Sequence, residues 1–370
     1  MQSLDGKKVT FLISSLVGGG AEGVCVNVAN GLAKQGWSVD LVVLHLNNAA
    51  YHDRVSDEVN LVVLDVSNAR YAGLPLLKYI RQQKPKTVLV FNYELAVVLV
   101  MLRTIFRFKT TIIARNINTL SKKRNQAQGF WRKYVVKPLI DGFYCKVDHV
   151  INQCQAMRED LISLYPQLAE KSSVIYNPVA KHIEDYAKSN DLNQVEKQDC
   201  LLCVGRLEKQ KGFHYAIEGF ARVADDFPNL RLKIVGQGSL EQELKQCAVD
   251  FGVANRVDFE GFQKDMLPYY LNAKATVLTS IYEGFPNVLV ESITLGTPVI
   301  AFDCPSGPSE IIEDGVNGYL VKYQDVEDFR SKLVKLINLS FNPLVINATA
   351  SKNRILEVAK KYQTLLSSVG

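Results

Sequence analysis

The 370-residue sequence has no long hydrophobic run. Its longest uninterrupted apolar stretch is LAVVLVML, from Leu95 to Leu102, far short of the ~20 residues a membrane-spanning helix needs. No signal peptide is visible: MQSLDGKKVTFLISSL holds only a short apolar run, which reads as a first strand. Cysteine is sparse and odd in number, seven residues scattered as Cys25, Cys145, Cys154, Cys200, Cys203, Cys247 and Cys304. That excludes a disulfide framework and predicts a reducing compartment. Cys200 and Cys203 form a C-x-x-C, but no second pair or histidine cluster joins them, and CLLCVGRL reads as a buried strand. His45, His52, His149, His182 and His214 show no partner pattern, and no two aspartates stand two residues apart. No metal is expected from such a set.

What is present is ordinary soluble composition, 47% hydrophobic and 22% charged, in a chain long enough for two domains. The net charge of +5 hides an asymmetry. Residues 1–180 hold 22 Lys and Arg against 13 Asp and Glu, and the remainder 21 against 25. Between Arg103 and Lys146 eleven basic residues meet a single acid, Asp141, with Phe106, Phe108, Phe130, Trp131 and Tyr134 interleaved. Basic and aromatic residues together suit an anionic lipid surface or a phosphorylated partner. Nucleic acid is the rival reading; it is opposed by the modest total charge and the lack of a recognised binding motif.

Strand and helix patterns alternate along the chain. KVTFLISSL, VDLVVLHL, VNLVVLDV, KTVLVF, TTIIAR and HVINQC are apolar enough for buried parallel strands. AEGVCVNVANGLAKQGW between the first two has helical spacing. Residues 181–199 are polar and lack apolar periodicity, which reads as a linker. A second series follows: CLLCVGRL, LRLKIVG, RVDFEG, ATVLTS, PVIAFD and GYLVK. This predicts α/β architecture with parallel sheets in two Rossmann-like domains, 1–180 and 200–350. The amphipathic segment in 351–370 is expected to pack back across the first domain.

Four stretches carry the chemistry. SSLVGGGAEG places Gly18, Gly20 and Gly23 at dinucleotide-fingerprint spacing. A dinucleotide site also wants an acid at the end of the second strand, but that strand ends Leu44-His45-Leu46-Asn47 and Asp40 stands near its start. The glycines still allow main-chain N–H groups to approach an anion. Second, Gly205-Arg206-Leu207 closes a strand and Lys211 follows, a guanidinium and an ammonium that suit a diphosphate. Third, SIYEGFPNVLVES puts Glu283 before a helix begun by Pro286, and Glu291 about 7.5 Å further along it. Two carboxylates so spaced can grip hydroxyls at opposite ends of a ligand while the helix end takes its phosphates. Fourth, DCPSGPSEIIEDGVNGYLV brings another helix start, near Ser309 and Glu310, to a strand end.

Together, Gly-Arg-Leu with Lys-Gly behind it, the Glu–seven residues–Glu spacing, GPSEII with NGYLV, and the GGGAE turn resemble the retaining glycosyltransferases of family 4. The resemblance covers essentially the whole chain and implies the GT-B fold, two Rossmann-like domains facing across a cleft. It implies that Arg206 and Lys211 neutralise the donor diphosphate, with Gly205 in the same turn. Glu283 would bond hydroxyls of the transferred sugar and Glu291 the nucleotide ribose. Main chain at Gly284, Phe285, Asn287 and Val288 would approach sugar and phosphates. Gly19 and Gly20 would face the diphosphate from the other domain, and the base would lie near Phe262. Many relatives carry a histidine facing the sugar; here IIARNIN has Arg115 and Asn116 on the acceptor side instead.

The expectation is therefore a retaining, metal-independent glycosyltransferase with no cofactor. Its donor is a nucleotide-sugar, a UDP-sugar first, and its acceptor a lipid-linked oligosaccharide or lipopolysaccharide. It would be cytoplasmic and peripheral on the inner face of the plasma membrane. The alternatives are a UDP-sugar epimerase on the same fold and an NAD-dependent oxidoreductase.

Overall fold

The computed structural model describes residues 7–117, 134 and 137–369. The chain divides into two compact units: Met1–Ala180 with Ile355–Gly370, and Lys181–Arg354. Each is built on one wholly parallel sheet. Among the described residues no helix is long and apolar enough to cross a membrane.

In unit 1 the strands are β1 (Lys8–Ile13), β2 (Ser38–Val43), β3 (Val59–Val63), β4 (Thr87–Val90), β5 (Thr111–Arg115), β6 (His149–Asn152) and β7 (Ser172–Val174). Their order is β3-β2-β1-β4-β5-β6-β7. The run Phe11-Leu12-Ile13 shows why strands so apolar form here. Successive side chains point to opposite faces, and both faces are covered. Phe11 and Ile13 pack with Val24, Leu32 and Leu41, whereas Leu12 packs with Val42, Ile80 and Leu99. The helix Ile355–Val369 belongs to this unit: Val358, Tyr362 and Leu366 complete the core cluster around Phe11.

In unit 2 the strands are β8 (Cys200–Val204), β9 (Arg231–Val235), β10 (Val257–Gly261), β11 (Ala275–Leu278), β12 (Val299–Phe302) and β13 (Gly318–Val321), in the order β10-β9-β8-β11-β12-β13. Cys203 lies in the core with Leu201, Phe220 and Phe329. Cys200 is three positions earlier and so points to the other face, which is why the C-x-x-C does not converge. All seven cysteines are free thiols.

Two segments differ from the sequence reading. Residues 181–199, read as a linker, hold the helix Lys181–Ser189 with Ile183 buried, and a short turn with Leu192 buried. Two apolar anchors nine residues apart are too few to show as periodicity. The strand β7 was not anticipated either, because its three residues, Ser-Ser-Val, carry almost no apolar signal.

In both sheets the order reverses direction beside the first strand, between β1 and β4 and between β8 and β11. The connections after those neighbours leave to opposite sides. Each pair therefore opens a crevice at its carboxyl ends, the place where open α/β sheets take ligands.

Candidate active site

The crevice of unit 2 is built from the connections after β8 and β11. The first runs through Gly205, Arg206 and the 3-10 turn Lys209–Lys211 to the helix Phe213–Ala224. The second runs from Thr279 to Pro286, which caps the helix Asn287–Thr294. They are laced together. The Ile281 N–H donates to the Gln210 carbonyl at 2.8 Å. Gln210 Nε2 donates to the Tyr282 carbonyl at 3.0 Å, and Thr279 Oγ1 to the Gly212 carbonyl at 2.9 Å. Gly212 makes this lacing possible. Its φ is +57°, and a Cβ there would stand 2.3 Å from the Thr279 carbonyl oxygen.

The lacing delivers two charges to one point. Lys211 Nζ lies 2.6 Å from Glu283 Oε1, and the side chains are only 17% and 8% exposed. Ser280 Oγ donates to the same carboxylate oxygen at 2.6 Å. The lysine stem reaches there across Gly205, where a Cβ would be 3.0 Å from Lys211 Cε. The main chain of Glu283 is fixed from the connection after β12. Its N–H donates to the Pro305 carbonyl at 3.3 Å, and its carbonyl accepts from Ser306 Oγ at 2.6 Å. Burial, helped by the Glu283 charge, pushes the nearby Cys304 thiol up to about 12, so it stays a thiol.

The other expected residues of unit 2 lie at the same edge of the sheet, as parallel strands require. Arg206 is exposed, and among the described residues its side chain makes no hydrogen bond or ion pair. Gly284 and Phe285 are buried, while Asn287 and Val288 open the helix half-buried. Glu291 is half-buried and accepts a 2.9 Å hydrogen bond from the Tyr270 hydroxyl. Phe262 follows β10 and is 68% exposed, an apolar ring open to solvent. Sequence reasoning missed Ser280, Ser306 and Tyr270, whose hydroxyls hold the two glutamates. Only Ser280, three residues before Glu283, left a local signal.

The crevice of unit 1 contains the glycine turn. Gly19 and Gly20 are exposed, and Gly20 begins the helix Gly20–Ala33. Asn92, after β4, fixes the start of the turn by accepting the Ser14 N–H at 2.8 Å. Asp40 does not serve a ribose here. It is buried within β2 and accepts from Tyr79 Oη at 3.0 Å and Asn60 Nδ2 at 2.8 Å.

Arg115 and Asn116 correct the sequence reading. Expected on the acceptor side, they are 1% and 2% exposed. Arg115 Nε donates to the Tyr362 hydroxyl at 2.8 Å, a second guanidinium nitrogen donates to Asn177, and the group lies 5.3 Å from the Phe91 ring centroid. Asn116 accepts from Tyr144 Oη and donates to Asn152, both at 2.7 Å. Buried polar groups are held by partners, and these two are held in the interior of unit 1. Of their side-chain nitrogens and oxygens, only Arg115 Nη1 goes without a hydrogen bond among the described residues.

Of the basic segment, Lys122, Lys123, Arg124, Phe130, Trp131, Arg132 and Lys133 lie outside the described residues. Arg103 is held inward by the Thr110 carbonyl at 3.0 Å and by Asp148. Beside it Ile105 and Leu139 are exposed, on the packed helices Tyr93–Phe106 and Lys137–Tyr144. Among the described residues no three His, Cys, Asp or Glu side chains gather where they could hold a metal ion.

Comparison with known proteins agrees with this layout. Residues 18–181 match the family described as Glycosyltransferase Family 4, and residues 185–353 match Glycosyl transferases group 1. An uncharacterized glycosyltransferase of Haemophilus influenzae is 28% identical, with 95% of each chain covered. A Campylobacter jejuni enzyme is 27% identical over 85% of this chain and 86% of its own length. It is named as an N-acetylgalactosaminyltransferase acting on N-acetylgalactosamine-N,N'-diacetylbacillosaminyl-diphospho-undecaprenol. Among solved structures, the lipopolysaccharide outer core galactosyltransferase WaaB superposes with a TM-score of 0.76 at 21% identity, covering 98% of this chain and 99% of its own. Anabaena HepE in complex with UDP and glucose gives 0.75 at 21% identity, covering 98% and 100%.

Proposed function

Because the chain belongs to the family 4 glycosyltransferases, with their GT-B fold, we propose that it moves a hexose or N-acetylhexosamine from a UDP-sugar to a lipid-linked oligosaccharide or lipopolysaccharide. The observation that carries this reading is the Lys211–Glu283 pair, set at the crevice of β8 and β11 beside the start of the helix Asn287–Thr294. A sugar carries hydroxyls and its leaving group carries charge. A carboxylate and an ammonium held together answer both.

The difficult part of the reaction is to stabilise the nucleoside diphosphate as it departs. The acceptor hydroxyl oxygen attacks the anomeric carbon, and the bond from that carbon to the phosphate oxygen breaks. The electron pair leaves with the diphosphate. Arg206 and Lys211 meet that charge, helped by main-chain N–H groups at the helix start. They do here what a metal ion does in metal-dependent transferases. Glu283 holds hydroxyls of the transferred sugar, and Glu291 holds the ribose. The departing phosphate takes the acceptor proton on the face it leaves, so configuration is retained. In unit 1 the turn at Gly19 and Gly20 offers main-chain N–H groups to an anion.

The acceptor class is supported by the diphospho-undecaprenol substrate in the name of the Campylobacter jejuni relative. Such an acceptor lies in a membrane. The basic segment Arg103–Lys146, with exposed Ile105 and Leu139 beside it, suits peripheral contact with an anionic surface from the cytoplasm.

Calorimetric titration with UDP, GDP, ADP and NAD, on wild type and Glu291→Ala, tests the donor. UDP is expected to bind tightest, and to weaken about tenfold or more when Glu291, a charged hydrogen-bond acceptor, is removed. Binding of NAD with no nucleoside diphosphate binding would overturn the transferase reading. Preference for GDP or ADP would overturn the donor alone.

A further inference from the structure

The carboxylate of Glu291 does not set its own direction. A glutamate side chain on a helix has several rotamers open to it, and binding a ligand would cost it that freedom. In this structure the choice is already made, since the Tyr270 hydroxyl donates to Glu291 Oε2 at 2.9 Å. Tyr270 is itself immobile. Its ring is fully buried, on the short helix Leu267–Asn272. The carbonyls at the end of a helix lack internal partners, and two of them are taken here. The Tyr270 carbonyl accepts from Thr297 Oγ1 at 2.7 Å, and the Leu271 carbonyl from Lys197 Nζ at 2.7 Å. Lys197 also reaches the Thr297 hydroxyl. The tyrosine is thus anchored by main chain at one end, with its hydroxyl aimed at the glutamate at the other.

We propose that Tyr270 is the positioning residue for Glu291, holding its carboxylate toward the ribose hydroxyls of the donor and thereby setting the preference for ribonucleotides. The proposal rests on the reading of Glu291 as the ribose ligand. A phenol suits the task better than a cation would. It directs one carboxylate oxygen without neutralising the charge, and a charged acceptor makes the stronger hydrogen bond to a hydroxyl. The ring fills the space that a smaller donor would leave empty.

Calorimetry on wild type, Tyr270→Phe and Glu291→Ala, with UDP and with 2′,3′-dideoxy-UDP as probes, separates the two claims. Tyr270→Phe keeps the ring and removes only the hydroxyl. It is expected to weaken UDP about ten- to twentyfold, the lower end of what one hydrogen bond to a charged group contributes, and to leave dideoxy-UDP within about twofold. The ratio between the two nucleotides should then fall toward that of Glu291→Ala. In turnover the donor KM should rise while kcat stays within about twofold. Unchanged UDP binding in Tyr270→Phe, with a loss in Glu291→Ala, would overturn the positioning role and leave the ribose reading standing. Equal losses for both nucleotides in Tyr270→Phe would mark general disruption, and would also overturn the positioning role. Unchanged UDP binding in Glu291→Ala would overturn the ribose reading, and the proposal with it.

Discussion

Replacing Lys211 by Met and Glu283 by Gln, singly and together, tests the pair at the centre of the crevice. Its N–O distance is 2.6 Å, with the two side chains 17% and 8% exposed. At such burial, removing one partner strands the other charge away from water, which costs about 3–5 kcal/mol. Lys211→Met still leaves Glu283 the Ser280 Oγ donor at 2.6 Å, so its cost should fall at the lower end, about 3 kcal/mol. Glu283→Gln keeps an acceptor for both donors but leaves the ammonium unpaired, at about 2–3 kcal/mol. The double variant has no stranded charge. Its loss should fall short of the sum of the single losses by about 2 kcal/mol, the interaction expected of groups in direct contact. The assay must report on unit 2. Both tryptophans, Trp37 and Trp131, belong to unit 1, so tryptophan fluorescence reports the wrong unit. Hydrogen exchange of the β8 and β11 amides gives the opening free energy where it is needed. A double-variant loss equal to the sum of the single losses within about 0.5 kcal/mol would refute the claim that the two groups form one charge-paired unit.

Two further predictions concern other basic groups. Burial lowers the Lys197 ammonium to about 8, with the Cys200 charge opposing weakly, whereas an unfolded lysine titrates near ~10.4. Between those values the unfolded chain binds the extra proton, so this residue makes stability rise with pH from about 8 to ~10.4, by at most ~3 kcal/mol, and contributes no slope below that window. Denaturant midpoints at pH 7.5 and 10 should show a smaller rise in Lys197→Met than in wild type, and equal rises would refute the assignment. Neutralising Lys122, Lys123, Arg124, Arg132 and Lys133 should weaken sedimentation with anionic vesicles and make it less salt-sensitive, each charge being worth ~1 kcal/mol near the surface; unchanged sedimentation would remove the membrane contact.

Much of this was legible in the chain because parallel strands buried on both faces are nearly continuous apolar runs. KVTFLI and CLLCV announce themselves, while Ser172–Val174 does not. Charges at strand ends were equally plain, and Lys211 and Glu283 could be singled out one by one. That they pair could not be read, since 72 residues separate them and only the strand order makes them neighbours. Arg115 and Asn116 misled for a related reason. The resemblance places a sugar-facing residue at this loop, and nothing local reveals that Tyr362, 247 residues away, turns the arginine into interior structure. Tyr270 was hidden in LPYYLN, where an aromatic reads as core; it is core, and its hydroxyl reaches beyond it.

The helix Ile355–Val369 gives the protein a history in time. Most of unit 1 leaves the ribosome before Lys181–Arg354, yet Val358, Tyr362 and Leu366 of its core are made after that segment. All of Lys181–Arg354 is synthesised in between. At about 5–20 residues per second that delay is on the order of ten to thirty-five seconds, far longer than a small domain needs to fold. The nascent first unit must therefore wait with the apolar side around Phe11 uncovered and Arg115 without its tyrosine. The first unit is safest from aggregation only after the helix Ile355–Val369 has been released.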